Sequence, residues 1–482
     1  MNLLKNAKRI HMIGIKGTGM SALAVNFKHM GIWITGSDYA ESFFTDALLK
    51  HQDIKVLSPF SPNNIPTDTD LVVVSTAYDN KNIEAQEAKQ RNLPLLTYPQ
   101  ALGLLTRQLP SIAICGSHGK TTTSGALGFL LSKTAYRPIV NVGSIVPQLL
   151  RYKARKPKLL VFEADEYQNK FEHFHPKIVI LTNIDYDHPD FFKTPTQYKL
   201  VFQNFIKRIP QNGLLIYCAD DKNCRDVARY AKCKKISYGF SEYAICKIKI
   251  EQIMPDRMKF NYHLVAQPLS QLSGSTTKYP RDSLNFSSKL IGSHNALNLT
   301  TAALCAATLD VPTKQIKKAI AGFRGTKRRL EIMKKCKING QECLIIDDFG
   351  HHPTEIKATI ATIKTAYPDK TLWTVFQPHT FSRTEALFND FVRCFSQSDK
   401  TVILDIYASK RETIGPPKFS YGKPRRVNKI HSRDLVKKIN SPDVFYKPNI
   451  TTAAKLLKSK IKTPSIILTI GASEVWRLAK FL

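Results

Sequence analysis

The stretch GSHGKTTTSG is a glycine-rich turn that carries a lysine and then a run of hydroxyl side chains. Gly116 and Gly119 follow an apolar strand, SIAIC, and precede a segment typical of a helix. A helix N-terminus offers free N–H groups and a positive dipole end to a phosphate. Lys120 can reach the β- and γ-phosphates of a nucleotide, and the Thr121 hydroxyl can bind Mg²⁺. We expect a phosphate site, although Ile114 replaces the first glycine of the common G-x-x-x-x-G-K-[ST] loop.

Acidic side chains follow two further apolar strands of the same region. The first strand, in LLVFEADEY, is followed by Glu163, Asp165 and Glu166, and the second, in VILTNIDYDH, by Asp185, Asp187 and His188. Ligands of α/β sheets bind at the carboxyl ends of the strands, and Mg²⁺ prefers oxygen ligands. The two clusters therefore predict a metal–nucleotide site beside the phosphate loop.

A second nucleotide-binding pattern lies near the N-terminus, in RIHMIGIKGTGMSALAVNFKHMGIWITGSD. Gly17, Gly19 and Ala22 give G-x-G-x-x-A between a strand and a helix, and Asp38 follows a second strand. This arrangement is typical of a dinucleotide-binding unit, but the same turn also occurs without a ligand. A nicotinamide dehydrogenase would explain this unit and leave the second phosphate loop unexplained.

Polar motifs continue in the C-terminal half, in GSHNALN, DDFGHHPTE and FQPHTFSRT. By itself, GSHNALN is best explained by helix capping. His351 and His352 are neighbours that point in different directions, and no third ligand spacing completes a metal site. We expect them to be polar binding groups. His379 and Arg383 follow the next strand, FQP, in the same way.

Composition limits the class of protein. The chain has 482 residues and a net charge of +33, which favours anionic partners such as nucleic acid or phosphorylated small molecules. The lysines are spread along the chain and no nucleic-acid-binding signature is present, so we do not expect nucleic acid as a partner. A basic nucleic-acid-binding ATPase is the alternative: it would explain the charge and the phosphate loop, but it leaves the N-terminal nucleotide unit and the C-terminal motifs without a role. Nine scattered cysteines without a C-x-x-C pair indicate reduced thiols in a cytoplasm, and no apolar run is long enough to span a membrane.

Apolar strands alternate with helical stretches along most of the chain, which predicts parallel α/β sheets. The pattern restarts near Arg107 to Pro110, and again after FRGTKRRLE, where strands are predicted at ECLIIDDF, TLWTVFQP, KTVILDIY and SIILTIG. The stretch from Glu242 to Ser287 is polar and irregular. It is either an antiparallel flap or a long surface loop.

The ordered set of motifs is similar to that of the Mur ligases, the ATP-dependent amide-forming enzymes of peptidoglycan precursor synthesis. GSHGKTTT, EADE, TNIDYDH, GSHNALN, RGTKRRLE, DDFGHHPTE and FQPHTFSRT occur in that order over nearly the whole chain. The resemblance implies an α/β protein of three domains. These are a Rossmann-like domain over residues 1–108, a central ATPase-like domain with a parallel sheet over 109–325, and a C-terminal Rossmann-like domain over 326–482.

The resemblance also implies a reaction. ATP, with Mg²⁺, phosphorylates the lactyl carboxylate of UDP-N-acetylmuramate, and the amine of L-alanine attacks the acyl phosphate to give an amide, ADP and phosphate. UDP-N-acetylmuramate and L-alanine are the expected substrates, and the expected assembly is a monomer or a homodimer. Phosphoryl transfer of this kind needs mainly positioning and charge neutralisation.

Roles for individual residues follow from the resemblance. The expected catalytic residues are Lys120, which would hold the γ-phosphate, with Glu163, His188, His351 and Arg383. Thr121 and Glu163 would ligate one Mg²⁺ and His188 a second. Further nucleotide contacts would come from the phosphate loop and from the adenosine end, at Gly116, His118, Gly119, Thr122, His294, Asn295, Asn298, Arg329, Asp348 and Phe349. The nucleotide sugar would meet the N-terminal unit, at Gly17, Thr18, Gly19, Met20, Ser21, Asp38 and Ser75. The amino acid would meet His351 and Arg383, whose guanidinium can hold a carboxylate by two bonds.

Two branches of the family fit the motifs, and they differ in the acceptor. EADEY, YPQ and DDF favour the branch that joins a whole tripeptide, L-Ala-γ-D-Glu-meso-diaminopimelate, to the same nucleotide sugar. FQPHTFSRT and DIYASKRE favour the branch that joins L-alanine, and they lie in the domain that meets the amino acid. We therefore expect L-alanine. Phe349, Thr380 and Tyr98 stand where relatives often have tyrosine, arginine and arginine, respectively.

Overall fold

The computed structural model describes residues 3–78, 81–265, 283–408 and 430–482. Within them the strands form three sheets, each with its own helices, in the order in which the chain runs. The predicted three-part α/β architecture is confirmed. None of the described helices has the length and apolar character that crossing a bilayer requires.

The first sheet is parallel and has the strand order β3-β2-β1-β4-β5. Its strands are β1 (Arg9–Ile13), β2 (Trp33–Ser37), β3 (Lys55–Leu57), β4 (Leu71–Val74) and β5 (Leu95–Thr97). Its helices are α1 (Leu3–Asn6), α2 (Thr18–His29), α3 (Asp46–His51), α4 (Ile83–Gln90) and α5 (Tyr98–Gln108). All four residues of β4, LVVV, are buried, as expected of a central parallel strand that is covered on both faces.

The second sheet has nine strands, in the order β14-β13-β12-β11-β10-β9-β6-β8-β7. The strands are β6 (Ser111–Cys115), β7 (Ile139–Asn141), β8 (Leu160–Glu163), β9 (Ile178–Leu181), β10 (Leu214–Cys218), β11 (Lys234–Gly239), β12 (Cys246–Ile253), β13 (Met258–Leu264) and β14 (Leu284–Ser288). The helices are α6 (Lys120–Leu131), α7 (Pro195–Lys207), α8 (Lys222–Ala228), α9 (Ser293–Ala307) and α10 (Thr313–Gly322). Strands β12, β13 and β14 are antiparallel, so the segment that the sequence left undecided forms a flap, with residues 266–282 outside the described part.

The third sheet has the order β15-β16-β20-β17-β18-β19. The strands are β15 (Glu331–Ile338), β16 (Gln341–Asp348), β17 (Thr371–Phe376), β18 (Lys400–Ile403), β19 (Val444–Tyr446) and β20 (Ser465–Ile470). The helices are α11 (Pro353–Ala366), α12 (Phe381–Ala386), α13 (Phe388–Cys394), α14 (Ser432–Ile439) and α15 (Ile450–Lys460). All four predicted strands are present. The antiparallel strand β15 was not predicted from the sequence.

The first two sheets share a hydrophobic core, which fixes one nucleotide unit against the other. Leu102 and Leu105 of α5 belong to the same buried cluster as Phe171 and Phe174 of the second unit. Helix α5 packs very closely against the second unit, because a Cβ on Gly103 would lie 2.5 Å from the carbonyl oxygen of His173. Any larger side chain at this position would push the two units apart.

Close packing also sets the position of α6, the helix that follows the phosphate loop. A Cβ on Gly128 would lie 2.6 Å from Cγ1 of Val140 in β7, whereas one on Gly322 would meet only the Phe129 ring, at 3.8 and 3.9 Å. We expect Gly128→Ala to destabilise the protein by about 1–3 kcal/mol through overpacking. The matched variant Gly322→Ala should change stability by less than about 1 kcal/mol. The midpoint of thermal unfolding measures both, and equal midpoints would contradict this account of the packing.

Candidate active site

The phosphate loop joins β6 to α6 in a conformation that requires both of its glycines. Gly116 has φ +129°, and a Cβ there would lie 2.1 Å from Oγ1 of Thr182. Gly119 has φ +81°, and its Cβ would lie 2.4 Å from Oδ1 of Asn298. The loop backbone therefore packs directly against the end of β9 and against α9. Thr122 lies buried in α6, just behind the loop.

Lys120, in the first turn of α6, is held by a carboxylate. Its Nζ donates to Oε2 of Glu166 at 3.0 Å and to the carbonyl oxygen of Gly116 at 2.5 Å. Burial alone would lower the pKa of this amine, but Glu166 and the neighbouring Asp165 outweigh burial and raise it. Lys120 is therefore a permanent cation at the mouth of the phosphate loop.

Thr121 and Glu163 are in contact, and both offer oxygen atoms that can ligate a metal ion. The Thr121 hydroxyl lies 3.1 and 3.0 Å from the two carboxylate oxygens of Glu163, and the N–H of Gly143 donates to the same carboxylate at 2.9 Å. A hydroxyl beside a carboxylate is a pair of ligands that fits Mg²⁺, which prefers oxygen ligands. The structure thus brings together two of the residues predicted to bind the metal.

His188, the third predicted metal ligand, lies with a different pair of acids. Its Nε2 is 3.8 Å from Oε1 of Glu166, and the ligand atoms of His188, Glu166 and Asp165 all lie within 4.8 Å of one another. Glu166 thus stands between Lys120 and His188. This second cluster offers two carboxylates and an imidazole to a cation.

His118 links the phosphate loop to the third sheet. Its Nε2 is 3.0 Å from Oδ2 of Asp185, and its Nδ1 is 3.4 Å from Oε1 of Glu355 in α11. Burial acts to lower the pKa of His118, but the Glu355 and Asp185 carboxylates outweigh it and raise that pKa to about 9. A protonated imidazole cannot ligate a metal, so His118 serves as a charged bridge.

His352 lies beside this bridge, with Nδ1 at 3.4 Å from Oδ2 of Asp185. The sequence showed no third ligand for a site at the two neighbouring histidines, yet the fold brings His118 and Asp185 within reach from distant strands. His352 is nevertheless the N-cap of α11, since its Nδ1 accepts from the N–H of Thr354 and its Nε2 donates to the carbonyl oxygen of Tyr186. Both ring nitrogens are therefore used within the protein, and His352 has a structural role.

The helix start predicted at GSHNALN is present, because α9 begins at Ser293, but the capping interpretation is wrong: the N-cap is Gly292, and no side chain caps the helix. The first turns of α9 instead lie against the phosphate loop. Asn298 lies next to Gly119 and 3.3 Å from the Thr123 hydroxyl, and Asn295 binds the carbonyl oxygen of Ile291 at 2.8 Å. Nδ1 of His294 is buried without a hydrogen-bond partner in the described part of the chain. Burial lowers the pKa of His294 to about 4, so this ring is neutral. An unpartnered ring nitrogen beside a phosphate loop fits the adenosine end of a nucleotide.

The third sheet contributes an aromatic ring with two guanidinium groups close to it. Arg328 and Arg329 lie over the Phe349 ring at 5.0 and 5.4 Å from its centroid. Asp348, at the end of β16, accepts from the N–H groups of Leu330 and Gly350 at 2.8 and 2.7 Å. Burial raises the pKa of Asp348 to about 6, although Arg329 opposes the shift.

Arg383, in α12, makes a buried ion pair with the second sheet. Its Nε donates to Oδ1 of Asp187 at 2.8 Å and its Nη2 to Oδ2 at 3.3 Å. The two side chains are 6% and 8% exposed. His351 lies beside this pair, with its Nδ1 3.2 Å from the carbonyl oxygen of Phe349. The structure therefore brings Arg383 and His351 together with the acid that precedes His188.

The N-terminal unit places its predicted residues around one turn. Gly17 directly precedes α2, whose first turn contains Thr18, Gly19, Met20 and Ser21. Ser75 follows β4 and lies beside the turn, because its N–H donates to the carbonyl oxygen of Ile13 at 2.9 Å. Asp38 is buried and accepts from the N–H groups of Lys16 and Tyr39 and from the Tyr78 hydroxyl, at 2.8, 2.9 and 3.0 Å. Its contact with a ligand stays a prediction.

Tyr98 connects this turn to the second sheet and was not predicted as a site residue. Its ring covers Gly19, where a Cβ would lie 2.7 Å from the Tyr98 hydroxyl oxygen. The same hydroxyl accepts from Nδ2 of Asn141 in β7 at 2.7 Å. Sequence reasoning also missed Glu355, and it named His379 without giving it a role. The only signal for Glu355 is its position three residues after an N-cap, which is typical of a capping box.

Comparison with known families finds matches along most of the chain. Residues 9–109 match the model described as "Mur ligase family, catalytic domain", residues 114–306 the "Mur ligase middle domain", and residues 328–473 the "Mur ligase, glutamate ligase domain".

Individual relatives match over the full length. A UDP-N-acetylmuramate–L-alanine ligase of Desulfitobacterium hafniense is 34% identical over 98% of this chain and 99% of its own. The enzyme of that name from Borreliella afzelii is 34% identical over 98% of each chain. Among solved structures, the UDP-N-acetylmuramate–alanine ligase of Thermotoga maritima matches with a TM-score of 0.76 and 22% identity, over 98% of each chain. A murein peptide ligase of Psychrobacter arcticus matches with a TM-score of 0.64 and 21% identity, over the same shares. These two structural matches show that the chain shares the fold of both enzymes.

The ion pair between Arg383 and Asp187 leads to a prediction about stability. Asp187→Asn or Arg383→Met alone should each cost about 3 kcal/mol or more, because each leaves a buried charge unpaired. The double variant should cost little more than one single variant, because no unpaired charge remains. Urea unfolding of the four proteins gives the coupling energy.

The control for this double-mutant cycle is the more exposed pair Lys199–Asp226, in which the Lys199 Nζ lies 2.7 Å from Oδ2 of Asp226. Lys199→Met and Asp226→Asn should have additive effects on stability, because solvent screens a pair at the surface. Additive effects at Asp187 and Arg383, with no coupling, would show that the pair does not hold the two sheets together.

Proposed function

The chain belongs to the Mur ligase family, and we propose that it joins L-alanine to the lactyl carboxylate of UDP-N-acetylmuramate. In this ATP-dependent reaction the carboxylate becomes an acyl phosphate, the amine displaces the phosphate, and an amide results. Membership of the family decides against a nicotinamide dehydrogenase and against a nucleic-acid-binding ATPase. Full-length relatives that carry the name of the L-alanine enzyme support the choice of acceptor.

One structural observation carries the proposal. The phosphate loop and its acids lie at the end of the second sheet, and they meet His351 and Arg383 of the third sheet through the Arg383–Asp187 ion pair. A phosphorylating site at the loop and an amine-binding site at the third sheet would thereby lie side by side, which supports the proposal. Holding two reactants in contact can contribute several kcal/mol, roughly 7–11, to the lowering of a barrier.

The residues of the loop would bind the triphosphate and its metal. When bound, Mg²⁺–ATP supplies the phosphoryl group that activates the carboxylate. Thr121 and Glu163 would hold one Mg²⁺ through their oxygen atoms, and His188 would bind near a second. Lys120 presents a fixed positive charge, and the N-terminus of α6, which begins directly after Gly119, would offer backbone N–H groups to phosphate oxygens. Each group neutralises charge where phosphoryl transfer requires it.

The adenosine end and the nucleotide sugar would bind on either side of the loop. His294, Asn295 and Asn298 approach from the second sheet, and Asp348, Phe349 and Arg329 approach from the third. The sugar nucleotide would lie at the turn that contains Gly17 and Gly19, with its diphosphate at the start of α2. We propose domain boundaries at residues 108/109 and 325/326. We also propose that the enzyme works in the cytoplasm, because all nine cysteines are free thiols.

A panel of acceptors tests the proposed function. We expect phosphate release to require UDP-N-acetylmuramate together with free L-alanine, and we expect glycine, L-serine and the tripeptide L-Ala-γ-D-Glu-diaminopimelate to be poorer acceptors. Efficient ligation of the tripeptide, with none of L-alanine, would assign the protein to the tripeptide branch of the family instead.

Lys120→Ala should abolish ligation and leave binding of the nucleotide sugar unchanged. Loss of a preorganised positive group at a transferring phosphoryl costs about 3 kcal/mol or more, which is over about 100-fold in rate. Initial rates of phosphate release and calorimetric titration with UDP-N-acetylmuramate measure the two effects. Lys317→Ala, an exposed position on α10, is the control. Near-normal turnover of Lys120→Ala would show that Lys120 is not a catalytic residue.

A further inference from the structure

The two carboxylates that lie beside His188 are both paired with lysines. Glu166 accepts from Nζ of Lys120 at 3.0 Å, and Asp165 accepts from Nζ of Lys170. The Lys170 side chain is only 12% exposed, so it lies against the protein and does not extend into solvent. The negative charge of this cluster is therefore balanced by two ammonium groups of the chain itself.

Glu163, the acid of the first predicted metal site, has no such partner. The Thr121 hydroxyl and the Gly143 N–H, which are both neutral donors, contact its carboxylate. In the part of the chain that the structure describes, no lysine, arginine or histidine forms an ion pair with it. The first site thus keeps its negative charge for Mg²⁺, whereas a metal ion at the second cluster has to compete with an ammonium group.

A tight turn with an uncommon backbone conformation brings Lys170 back to Asp165. Gln168 and Asn169 have φ of +58° and +55°, in the left-handed region that residues with a side chain rarely adopt. Such conformations persist only where the surrounding contacts require them, and they are frequent at functional sites. The N–H of Tyr167 donates to Oδ1 of Asp165 at 3.2 Å, and Lys170 donates to Oδ2. Both oxygens of Asp165 are thus used within this turn.

Aromatic packing holds the ammonium group of Lys170 in the same corner as His188. Its Nζ lies over the Tyr167 ring, 5.5 Å from the ring centroid. The Tyr167 ring also packs on the His188 ring, with centroids 4.7 Å apart and an angle of 39° between the planes. The Tyr167 hydroxyl donates to Oδ2 of Asp190 at 2.7 Å, which fixes the ring in place. Lys170 is therefore held near the imidazole that would meet a second metal ion.

We propose that Lys170 is a further charge-neutralising residue of the active site, whose ammonium group supplies the positive charge beside His188 that a second Mg²⁺ would otherwise supply. The second ion then binds more weakly than the first, because it meets a cluster that two lysines already balance. Phosphoryl transfer needs positive charge around the transferring group, and a fixed ammonium group can provide it. The inference goes beyond the proposed function and rests on it only for the binding of Mg²⁺–ATP at the phosphate loop.

Binding of Mn²⁺, which can replace Mg²⁺ and has an electron paramagnetic resonance signal, tests this assignment without turnover. The protein is titrated in the presence of UDP-N-acetylmuramate and of the ATP analogue in which an imido group bridges the β- and γ-phosphates. We expect the wild type to bind one Mn²⁺ tightly and a second at least about tenfold more weakly. Lys170→Ser should tighten the second site by about tenfold or more, because a positive charge beside a divalent cation is removed.

Two further variants separate the charge of Lys170 from its place in the turn. Lys170→Arg keeps the positive charge and should resemble the wild type. Lys364→Ser removes a lysine in the last turn of α11 that is also paired with an aspartate, Asp399, at 2.9 Å. This matched control should leave both Mn²⁺ affinities unchanged.

The Mg²⁺ dependence of phosphate release gives a second readout. At the Mg²⁺ concentration that half-saturates the wild type, Lys170→Ser should be about tenfold or more slower. At high Mg²⁺ the variant should recover most of the wild-type rate, because a second ion then provides the missing charge. Loss of a merely structural contact would not be restored by Mg²⁺.

Several results would overturn the inference. Two equally tight Mn²⁺ ions in the wild type, or an unchanged second site in Lys170→Ser, would show that Lys170 does not compete with a metal ion. Weaker binding of the nucleotide and of both Mn²⁺ ions in Lys170→Ser would show that Lys170 only holds the turn. If the wild type releases no phosphate with L-alanine, the proposed function fails, whereas the Mn²⁺ titration still decides the role of Lys170.

Discussion

The arrangement of this site depends on one buried ion pair, between Arg383 and Asp187. The two residues are 196 positions apart in the chain and belong to different sheets. Charges that are removed from water persist only when they are paired with good geometry, and here both carboxylate oxygens are used. The pair therefore fixes the third sheet against the phosphate-binding end of the second sheet. The same guanidinium also contacts Nδ1 of His379 at 3.2 Å, so it fixes the proton of the neutral ring on Nε2.

A second set of charges balances the phosphate loop before any nucleotide binds. Glu166 lies between Lys120 and His188, and Glu163 pairs with Thr121. Lys120 and Glu166 are both buried, and each would be strongly destabilising there without a partner. In this structure the two charges pair with each other, so the loop is electrostatically balanced within the protein.

Much of this could be predicted from the sequence, because local patterns carry the signal. The phosphate loop, the acids that follow β8 and β9, and the main strands of each sheet all follow from short motifs. Strand β15 was missed because its Lys-rich, half-exposed pattern is weak, although the Asn339–Gly340 turn, with φ of +50° and +78°, is a hairpin signal. The contacts of Arg383 with Asp187, of His118 with Glu355 and of Tyr98 with Asn141 could not be predicted, since each partner belongs to another unit and no spacing in the chain encodes it.

A carboxylate that is activated by ATP and then captured by L-alanine passes one of its own oxygen atoms to the phosphate that leaves. UDP-N-acetylmuramate labelled with ¹⁸O in the lactyl carboxylate is incubated with ATP, Mg²⁺ and L-alanine, and both products are analysed by mass spectrometry. We expect one ¹⁸O atom in each phosphate released, with an equal amount of the L-alanine amide. Unlabelled phosphate, or labelled phosphate formed only with a tripeptide acceptor, would contradict this reaction.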